Sequence, residues 1–474
     1  MSTPIRFGTD GWRAIIGEEF TPENIVQVIQ AFCDLEGSRA GSPKHIIVGY
    51  DRRRQSKETA EMVSEVLLGN SFLVELSSQF CPTPCISWMT KNSPASHGIV
   101  ITASHNPSQW NGIKFKESYG GSASPSFTKE IERKIEDNQK HNRTILRFSL
   151  QEGLKQQRLK YFDPVETYGK QLLSLVDGKL IQQSNLKVLH DPLFGAGSHF
   201  LTKLFPEQID EMHAEADVTF GGLNPEPIES NLSVLQERVV RGGYALGLAT
   251  DGDADRIGAV DDEGHFVNSH QIFALLLKHH VEYRKLTGLV VKSLSTTQMV
   301  RKQCEKYALP LVETPVGFKY ICEELIKNPQ ALMGGEESGG ISFGPHVHER
   351  DGLLNGLFLL EMMSVQKKSL RELLKDLEKE MGSFFYKRID LHIDTARIQS
   401  IKEKLTHLKV DTLAGLFVVE TRLVDGFYYR MQDGSWALIR SSGTEPLVRL
   451  YAEADSLEKV EGLLQAIQVL VGEE

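Results

Sequence analysis

The chain has 474 residues, of which 40% are hydrophobic, 24% charged and 8% aromatic. This composition is typical of a folded, water-soluble protein, and the length predicts about three or four domains. The formal net charge of −10 opposes non-specific attraction to nucleic acid or to an anionic membrane surface, so neither is an expected partner. An anionic substrate would therefore need a local cluster of basic groups.

The five cysteines are few and odd in number, which argues against a disulfide framework. Cys81 and Cys85 flank Pro-Thr-Pro, but no second Cys or His pair of matching spacing completes a metal site. The first residues lack the apolar segment of a secretion signal, and no apolar run approaches the roughly 20 residues of a membrane-spanning helix. We therefore expect a cytoplasmic protein.

Apolar segments that run into polar or glycine-rich turns recur along the first three quarters of the chain. Amphipathic helices are predicted between them: Thr21 and Pro22 begin the first, and a second covers 57–68. This alternation is typical of α/β layers with mostly parallel sheets, in which functional groups gather at the carboxyl ends of the strands. The predicted strands lie at 45–51, 98–102, 186–191, 244–250 and 288–292.

The C-terminal quarter has a different pattern. Segments 426–431 and 436–439 flank Asp433 and Gly434 in the manner of a β-hairpin, and a further strand at 447–453 precedes a final helix. The sequence thus predicts three α/β domains with mixed, mostly parallel sheets and one C-terminal α+β domain. Their expected bounds are 1–150, 151–267, 268–383 and 384–474.

The strand at 244–250 leads into three aspartates at alternate positions, Asp251, Asp253 and Asp255. Carboxylates this close repel one another, and a hard divalent cation with oxygen ligands relieves that repulsion. A calcium EF-hand loop does not fit, because Arg256 stands where that loop needs glycine. Magnesium is the expected ion because it keeps positions open for phosphate oxygens; the competing interpretation is a solvated acidic turn. Arg256 is expected to bind substrate or to neutralise the aspartates.

Ser104 lies in a turn of small residues after the strand at 98–102, and this predicts an exposed hydroxyl. His105 is a candidate for proton transfer, and Lys114 is a candidate for stabilising charge on a phosphoryl group near the serine. Taken alone, a Ser-His pair is better explained as an ordinary polar turn, and an isolated lysine as a surface residue.

Two further loops combine glycine with polar side chains. Glu336 and Ser338 lie in the glycine-rich segment 334–340, which suits recognition of sugar hydroxyls as well as it suits an ordinary turn. The segment 440–446 combines an arginine, hydroxyls and glycine amides in the manner of a phosphate cradle, with a polar hairpin loop as the alternative. The cradle candidates are Arg440, Ser442, Gly443 and Thr444, followed by Arg449.

Taken in order, these four features resemble the α-D-phosphohexomutase family, which includes phosphoglucomutase, phosphomannomutase and phosphoglucosamine mutase. The opening segment 7–13, Phe-Gly-Thr-Asp-Gly-Trp-Arg, also resembles the N-terminal signature of that family, and the resemblance extends to the final helix. It implies four domains around a central cleft, each contributing one loop.

The resemblance also implies a reaction: an isomerase that moves a phosphoryl group between the C1 and C6 oxygens of a hexose phosphate, with phosphorylated Ser104 as the carrier. A hexose 1,6-bisphosphate would be both intermediate and activator, and the enzyme would act as a monomer or homodimer. Sugar hydroxyls would bind to Glu336 and Ser338, and the non-reacting phosphate to the cradle. The implied Mg²⁺ ligands are Asp251, Asp253, Asp255 and an oxygen on Ser104, and the further cleft candidates are Arg13, Lys114, Lys292 and Arg256.

Substrate choice depends on small differences between the loops. The form Glu-Glu-Ser-Gly-Gly at 336–340 resembles glucose- and mannose-type mutases more than the glucosamine type, which tends to have Gln in place of Glu337 and His in place of Gly340. Ser441 departs from the Arg-Pro-Ser form usual in glucosamine mutases. Glucose and mannose phosphates are therefore the expected substrates, with phosphoglucosamine mutase as the alternative. A serine-dependent sugar phosphatase and a non-catalytic sugar-phosphate-binding protein are the rivals from other classes.

Overall fold

The computed structural model describes residues 5–8, 10–39, 44–441 and 447–472. Four β-sheets follow one another along the chain, and each is covered by helices from the same part of the sequence. None of the helices in these described ranges is both long enough and apolar enough to span a bilayer.

The first sheet has the strand order β1-β5-β4-β2-β3-β6. Its strands are β1 (Trp12–Ile15), β2 (His45–Tyr50), β3 (Leu73–Ser77), β4 (His97–Ile101), β5 (Trp110–Glu117) and β6 (Leu159–Phe162). The accompanying helices are α1 (Pro22–Ser38), α2 (Ser56–Gly69), α3 (Thr83–Lys91), α4 (Pro125–Lys140) and α5 (Leu150–Lys155). Strands β4, β2, β3 and β6 run parallel, whereas β5 and β1 are antiparallel to their neighbours. The Thr21 hydroxyl caps α1 by accepting a hydrogen bond from the Asn24 amide, as predicted.

The second sheet has the order β11-β10-β9-β7-β8. Its strands are β7 (Val188–Asp191), β8 (Ile209–Glu211), β9 (Leu246–Thr250), β10 (Ile257–Val260) and β11 (Phe266–Val267). The helices are α6 (Pro164–Leu175), α7 (Gly178–Gln183), α8 (Phe200–Leu204) and α9 (Ser233–Gly242), with short 3₁₀ turns at Phe220–Gly222 and Glu229–Asn231. Strands β8, β7 and β9 are parallel, and β10 returns antiparallel to β9.

The third sheet has the order β13-β12-β14-β15. Its strands are β12 (Leu289–Ser293), β13 (Leu311–Thr314), β14 (Ala331–Gly335) and β15 (Ile341–Phe343). The helices are α10 (Ser269–Lys278), α11 (Gln298–Tyr307), α12 (Phe318–Lys327), α13 (Gly352–Gln366) and α14 (Leu370–Met381), with a π-helical turn at His279–Tyr283. Strands β13, β12 and β14 are parallel, and β15 is antiparallel to β14.

The fourth sheet is antiparallel throughout, in the order β16-β21-β20-β19-β18-β17. Its strands are β16 (Phe385–His392), β17 (Thr412–Leu413), β18 (Leu416–Arg422), β19 (Phe427–Met431), β20 (Trp436–Ser441) and β21 (Leu447–Ala454). Helices α15 (Thr395–His407) and α16 (Leu457–Val471) cover one face, where they enclose a separate hydrophobic core. The predicted hairpin and final helix are confirmed, and so is the expected fold class of three α/β domains followed by an α+β domain.

The candidate loops of the first three domains occupy equivalent places. Segments 102–109, 251–256 and 336–340 each connect a strand of the parallel set to the antiparallel strand beside it: β4 to β5, β9 to β10, and β14 to β15. A buried apolar cluster extends across all three domains, and α13 is buried along most of its length. The shared cluster holds the three loops in a fixed relation.

The division of the chain into domains follows the sheets. Strand β6 pairs with β3, so the first sheet takes its last strand from residues beyond the expected bound at 150. The second sheet ends with β11, directly before α10, and the fourth begins with β16, shortly after α14. The exact domain bounds remain a prediction.

Candidate active site

Ser104 lies at the tip of the 102–109 loop, and its side chain is 0% exposed. Its Oγ donates a hydrogen bond to Asp251 Oδ2 at 2.8 Å, and His105 Nδ1 lies 3.5 Å away. Arg53 stabilises the loop, because its guanidinium donates hydrogen bonds to the carbonyl oxygens of Ser104 and Asn106. The expectation of an exposed hydroxyl was wrong, because the acidic loop of the second domain covers the serine and no local pattern in the first domain predicts that contact.

The three aspartates come together in one buried cluster, with ligand-competent oxygens within 4.8 Å of one another. Asp251 Oδ1 accepts the backbone amides of Asp255 and Arg256, at 2.9 and 3.1 Å. Asp253 Oδ1 and Asp255 Oδ1 are buried and have no hydrogen-bond partner among the described residues. Burial, together with the charges of Asp255 and Asp253, raises the pKa of Asp251 well above its ordinary value. Three carboxylates this close, two of them with an unpartnered oxygen, fit a hard divalent cation such as Mg²⁺.

Glycine permits the close contact between the serine loop and the acidic loop. A Cβ atom on Gly252 would overlap the carbonyl oxygen of Ser104. The two backbones therefore approach more closely than any side chain would allow. This contact places the Ser104 hydroxyl against Asp251, so that one small site contains groups from two domains.

Lys114 is buried between the first two domains, so the interpretation as a surface residue does not apply. Its Nζ lies 2.8 Å from Asp10 Oδ2, 2.8 Å from Asp253 Oδ2 and 3.3 Å from Asp255 Oδ2. Burial alone would lower its pKa, but Asp10 and Asp253 outweigh burial and raise the pKa above the ordinary value. Lys114 is therefore a fixed ammonium, suited to stabilising negative charge.

His105 and two arginines complete the basic side of the site. Burial, with Arg256 and Arg13 nearby, lowers the pKa of His105 well below its ordinary value, so its imidazole is neutral. Arg13 donates to Asn106 Oδ1 at 2.6 Å, and Arg256 pairs with Glu226 at 3.0 Å. Both guanidiniums thus lie at the serine loop and the acidic loop, where the sequence predicted cleft residues.

The glycine-rich loop of the third domain is joined to the acidic loop. Ser338 Oγ donates to Glu336 Oε1 at 2.7 Å, and the amide of Ile257 donates to the carbonyl oxygen of Gly339 at 3.1 Å. Burial raises the pKa of Glu336, while Arg350 opposes that shift. Contact between neighbouring loops therefore brings Glu336 and Ser338 close to the acidic loop.

The candidates in and near the last domain are more scattered. Arg440 Nε contacts Asp425 Oδ2 at 2.7 Å, and Arg449 lies 3.6 Å from Asp390. Lys292 is buried near the carboxyl end of β12, in register with Gly335 of β14, and its described partners are Thr296 and Glu313 rather than the aspartates. Three of the cradle candidates lie outside the described residues: Ser442, Gly443 and Thr444.

Several polar residues of the site carried no recognisable signal in the sequence. Thr83 Oγ1 donates to Asp253 Oδ2 at 2.6 Å, and Arg350 Nη2 lies 2.7 Å from Asp255 Oδ2. Asp10 joins Lys114 to Arg350. Asp10 belongs to the opening segment 7–13, and the resemblance of that segment to a family signature was the only sequence pattern close to it. Thr83 and Arg350 are single polar residues far along the chain from their partners, with no surrounding pattern.

The fold has four domains with mixed or antiparallel sheets, and the site combines a buried serine, an acidic triad and basic groups. Together these features define a class of enzyme that handles phosphate esters. Family models for phosphoglucomutase/phosphomannomutase match all four parts: alpha/beta/alpha domain I over residues 4–142, domain II over 166–264, domain III over 268–381 and the C-terminal domain over 399–468. The chain belongs to the phosphoglucomutase/phosphomannomutase family, and it is an isomerase of the intramolecular phosphotransferase type.

Relatives of similar full length carry different substrate names. A phosphoglucomutase/phosphomannomutase of Thermococcus kodakarensis is 30% identical, over 97% of this chain and 96% of its own length. A phosphoglucosamine mutase of Geobacillus kaustophilus is 31% identical, over 99% of this chain and 98% of its own length. A crystal structure from Thermus thermophilus, of a protein thought to be a phosphomannomutase, has 32% identity and a TM-score of 0.84, covering 99% of this chain and 100% of the other.

Proposed function

We propose that the protein interconverts hexose 1-phosphate and hexose 6-phosphate, with glucose or mannose as the sugar, through a phosphorylated Ser104 and a hexose 1,6-bisphosphate. The observation that carries the proposal is the 2.8 Å contact between Ser104 Oγ and Asp251 Oδ2, which joins a hydroxyl and a carboxylate cluster 147 residues apart in sequence. The bisphosphate would also activate the enzyme by phosphorylating Ser104.

Asp251, Asp253 and Asp255 would hold Mg²⁺ together with an oxygen of the phosphorylated serine. When bound, the ion supplies positive charge for the oxygens of the transferring phosphoryl group. Support for this ligand set comes from Asp253 Oδ1 and Asp255 Oδ1, which are buried without a hydrogen-bond partner among the described residues. Lys114 would supply a second, fixed positive charge.

In the proposed reaction, a free hydroxyl of the hexose phosphate attacks the phosphorus on Ser104. The bond between phosphorus and Ser104 Oγ breaks as the bond to the sugar oxygen forms, and the hydroxyl proton leaves for a base. His105 Nδ1 lies 3.5 Å from Ser104 Oγ, so its neutral imidazole would take the proton of the Ser104 hydroxyl in the return step, when the serine attacks the bisphosphate. The bisphosphate then turns over in the cleft and returns its other phosphoryl group to Ser104, so atoms and charge balance over the cycle.

Glu336 and Ser338 would bind sugar hydroxyls, and Arg440 would grip the phosphate that does not react, with Ser442, Gly443, Thr444 and Arg449. One phosphate cradle must accept either end of the sugar, because both orientations have to be productive. Arg13 and Arg256 lie at the serine and acidic loops and would contact the reacting phosphate. We further propose a cytoplasmic enzyme that acts as a monomer or homodimer.

Phosphoglucosamine mutase is the second candidate, favoured by relatives of that name that match over nearly the whole chain. The pair Glu337 and Gly340 favours glucose or mannose. A serine-dependent phosphatase remains a weaker candidate, because it has no need to recognise its substrate in two orientations.

One experiment separates these candidates. The purified enzyme is given the 1-phosphates of glucose, mannose, glucosamine and N-acetylglucosamine, with Mg²⁺ and glucose 1,6-bisphosphate, and the 6-phosphate products are measured. We expect turnover of glucose or mannose 1-phosphate to be fastest. A preference for glucosamine 1-phosphate would replace the proposed substrate, and steady release of inorganic phosphate without isomer formation would establish a phosphatase.

A further inference from the structure

Arg350 is a nearly buried cation, with its side chain 5% exposed, in the turn before α13. Its guanidinium contacts carboxylates from three domains. Nη2 lies 2.7 Å from Asp255 Oδ2 and 2.9 Å from Asp10 Oδ2, and Nη1 lies 3.2 Å from Glu336 Oε1. The group also lies over the ring of Phe318, 5.1 Å from its centroid. No other described contact joins Asp255 to Glu336 through a single side chain.

The contact with Asp255 fixes how that carboxylate is turned. Its Oδ2 accepts from Arg350 at 2.7 Å and from Lys114 at 3.3 Å, while its Oδ1 is buried and lacks a hydrogen-bond partner within the described part of the chain. Two donors therefore fix Oδ2 and leave Oδ1, which lies 4.0 Å from Arg256 Nε, as the oxygen without a hydrogen bond. Loss of such a supporting donor commonly weakens metal binding, because the ligand is no longer held in the orientation that the ion requires.

The contact with Glu336 has the same form. Its Oε1 accepts from Arg350 Nη1 at 3.2 Å and from Ser338 Oγ at 2.7 Å. These two donors immobilise the carboxylate within the glycine-rich loop. A carboxylate that recognises sugar hydroxyls gains affinity when its position is fixed before the substrate arrives.

The space for Arg350 depends on Gly340. A Cβ atom at residue 340 would overlap Arg350 Cδ and lie 3.0 Å from Glu336 Oε1, so even alanine would displace the arginine side chain and crowd the glutamate. Arg350 and Gly340 therefore form a structural pair: the glycine keeps open the slot through which the guanidinium reaches Asp255 and Glu336.

We infer that Arg350 is a positioning residue that orients the metal-binding carboxylate of Asp255 and the sugar-binding carboxylate of Glu336 at the same time. The inference rests on the proposed function, since it takes these two residues as ligands of the ion and of the sugar. Lysine cannot replace the arginine, because a single ammonium lacks the planar fork that reaches separate carboxylates. The signature of this role is a joint loss: one substitution weakens binding of both metal and substrate.

The test measures two quantities, the Kd for Mn²⁺ by electron paramagnetic resonance and the KM for the preferred hexose phosphate, in the full-length enzyme. Arg350→Met should weaken Mn²⁺ binding by about tenfold or more and raise KM by a similar factor. Gly340→Ala keeps the charge but displaces the arginine, so it should reproduce both losses. The double variant should be no worse than Arg350→Met, because both changes act on one contact.

Lys116→Met is the matched control. Lys116 is another buried cation of this region, paired with Glu349 and 3.7 Å from Asp10. Both of these carboxylates also contact Arg350, but neither Asp255 nor Glu336 is among the described partners of Lys116. We expect its Mn²⁺ Kd and its KM to stay within about twofold of wild type even if its melting temperature falls.

The outcomes are distinct. Wild-type affinities in Arg350→Met would overturn the inference, as would equal losses in Lys116→Met, which would show a general effect of removing a buried cation. If Arg350→Met does not fold, the Mn²⁺ affinity of Gly340→Ala decides, because the added methyl group also crowds Glu336 and so affects KM directly: weaker Mn²⁺ binding supports the inference and a wild-type Kd overturns it. Failure of the wild-type enzyme to bind Mn²⁺ or to convert any hexose phosphate would overturn the proposed function itself, and the inference with it.

Discussion

The site shared by the first three domains and the attachment of the fourth domain are built in different ways. At the site, backbone groups of different domains bond directly: the amide of Thr83 to the carbonyl of Asp253 at 2.9 Å, and the amide of Gly352 to the carbonyl of Ala254 at 3.0 Å. At the fourth domain, the described contacts use side chains, including Arg422 with Glu313 at 2.6 Å and Asp425 with the amide of Val316 at 3.0 Å. Backbone contacts fix a geometry, whereas side-chain contacts can be exchanged for others.

This difference suits the proposed reaction. Phosphoryl transfer needs a serine, an ion and a lysine in constant positions, because small displacements reduce the rate steeply. The phosphate cradle has to grip either end of a sugar that turns over. We expect a domain docked through ion pairs and a small apolar cluster that includes Tyr428 and Trp436 to shift during the reaction without disturbing the reacting groups.

The largest effect is expected at the fixed site. Ser104→Ala removes the proposed phosphoryl carrier but only one hydroxyl, so mutase activity should fall by about a thousandfold or more while the fold is retained. Mutase rates with the preferred hexose phosphate, with circular dichroism as the check on folding, measure this. Full activity in the variant would remove Ser104 from the mechanism and would leave the fixed site without its central residue.

Asp253→Asn should lower the mutase rate by about a hundredfold and raise the Mg²⁺ concentration needed for half activity. The variant loses one charge of the cluster that also binds Lys114. Asp262→Asn is the matched control, because Asp262 is exposed on the turn between β10 and β11. Equal Mg²⁺ dependence in both variants would show that the acidic triad does not bind the ion.

Asp425→Asn tests the docked domain. Asp425 Oδ2 accepts hydrogen bonds from Arg440 Nε and from the Val316 amide. The change therefore weakens a contact between the third and fourth domains, and it also weakens the contact that positions Arg440, a proposed phosphate-binding residue. Asparagine tolerates the positive φ of 56° at this position, so backbone strain is not added. We expect KM to rise by about three- to tenfold with a smaller change in kcat. A fall in kcat at constant KM would mean that this contact acts on the chemistry.

The smallest effect is expected from Glu313→Gln. It is measured as a change in how the free energy of unfolding depends on pH. Burial would raise the pKa of Glu313, but Lys292 and Arg301 outweigh burial and lower it to about 2 from an ordinary 4.5. Because the folded pKa is depressed, the carboxylate stabilises the protein fully above about pH 4.5 and loses that contribution as the pH falls towards 2. In urea titrations the free energy of unfolding of the wild type should exceed that of the variant at pH 6. The difference between the two should narrow below pH 4.5. A constant gap would show that the charge of Glu313 is not what stabilises the wild type.

The sequence predicted the parts of the site that lie in local patterns. The alternating aspartates at 251–255 and the small residues around Ser104 follow strands, and the strands β4 and β9 end where the apolar segments do. Asp10 and Arg350 lie 340 residues apart, and each is a single charged residue without a surrounding pattern. Their pairing depends on how domains pack, which the spacing of residues along the chain does not specify.

Burial was the property that the sequence predicted least well. The Ser104 hydroxyl was expected to be exposed and a surface position was the alternative for Lys114, yet both residues are 0% exposed. Each is polar, and polar residues are exposed by default unless partners are supplied. Here Ser104 finds its partner, and Lys114 two of its three partners, in another domain, so the exception is visible only in three dimensions.

The backbone of Ser104 has a φ of 52°, in the left-handed region that costs a residue with a Cβ on the order of 1 kcal/mol. Glycine would adopt this conformation without that penalty, and it would have no oxygen to carry a phosphoryl group. The proposed phosphoryl carrier is thus held in a conformation that glycine, which is catalytically inert, would adopt at lower energetic cost. Selection for thermal stability alone would favour glycine here, so stability and catalytic activity make opposing demands on this position.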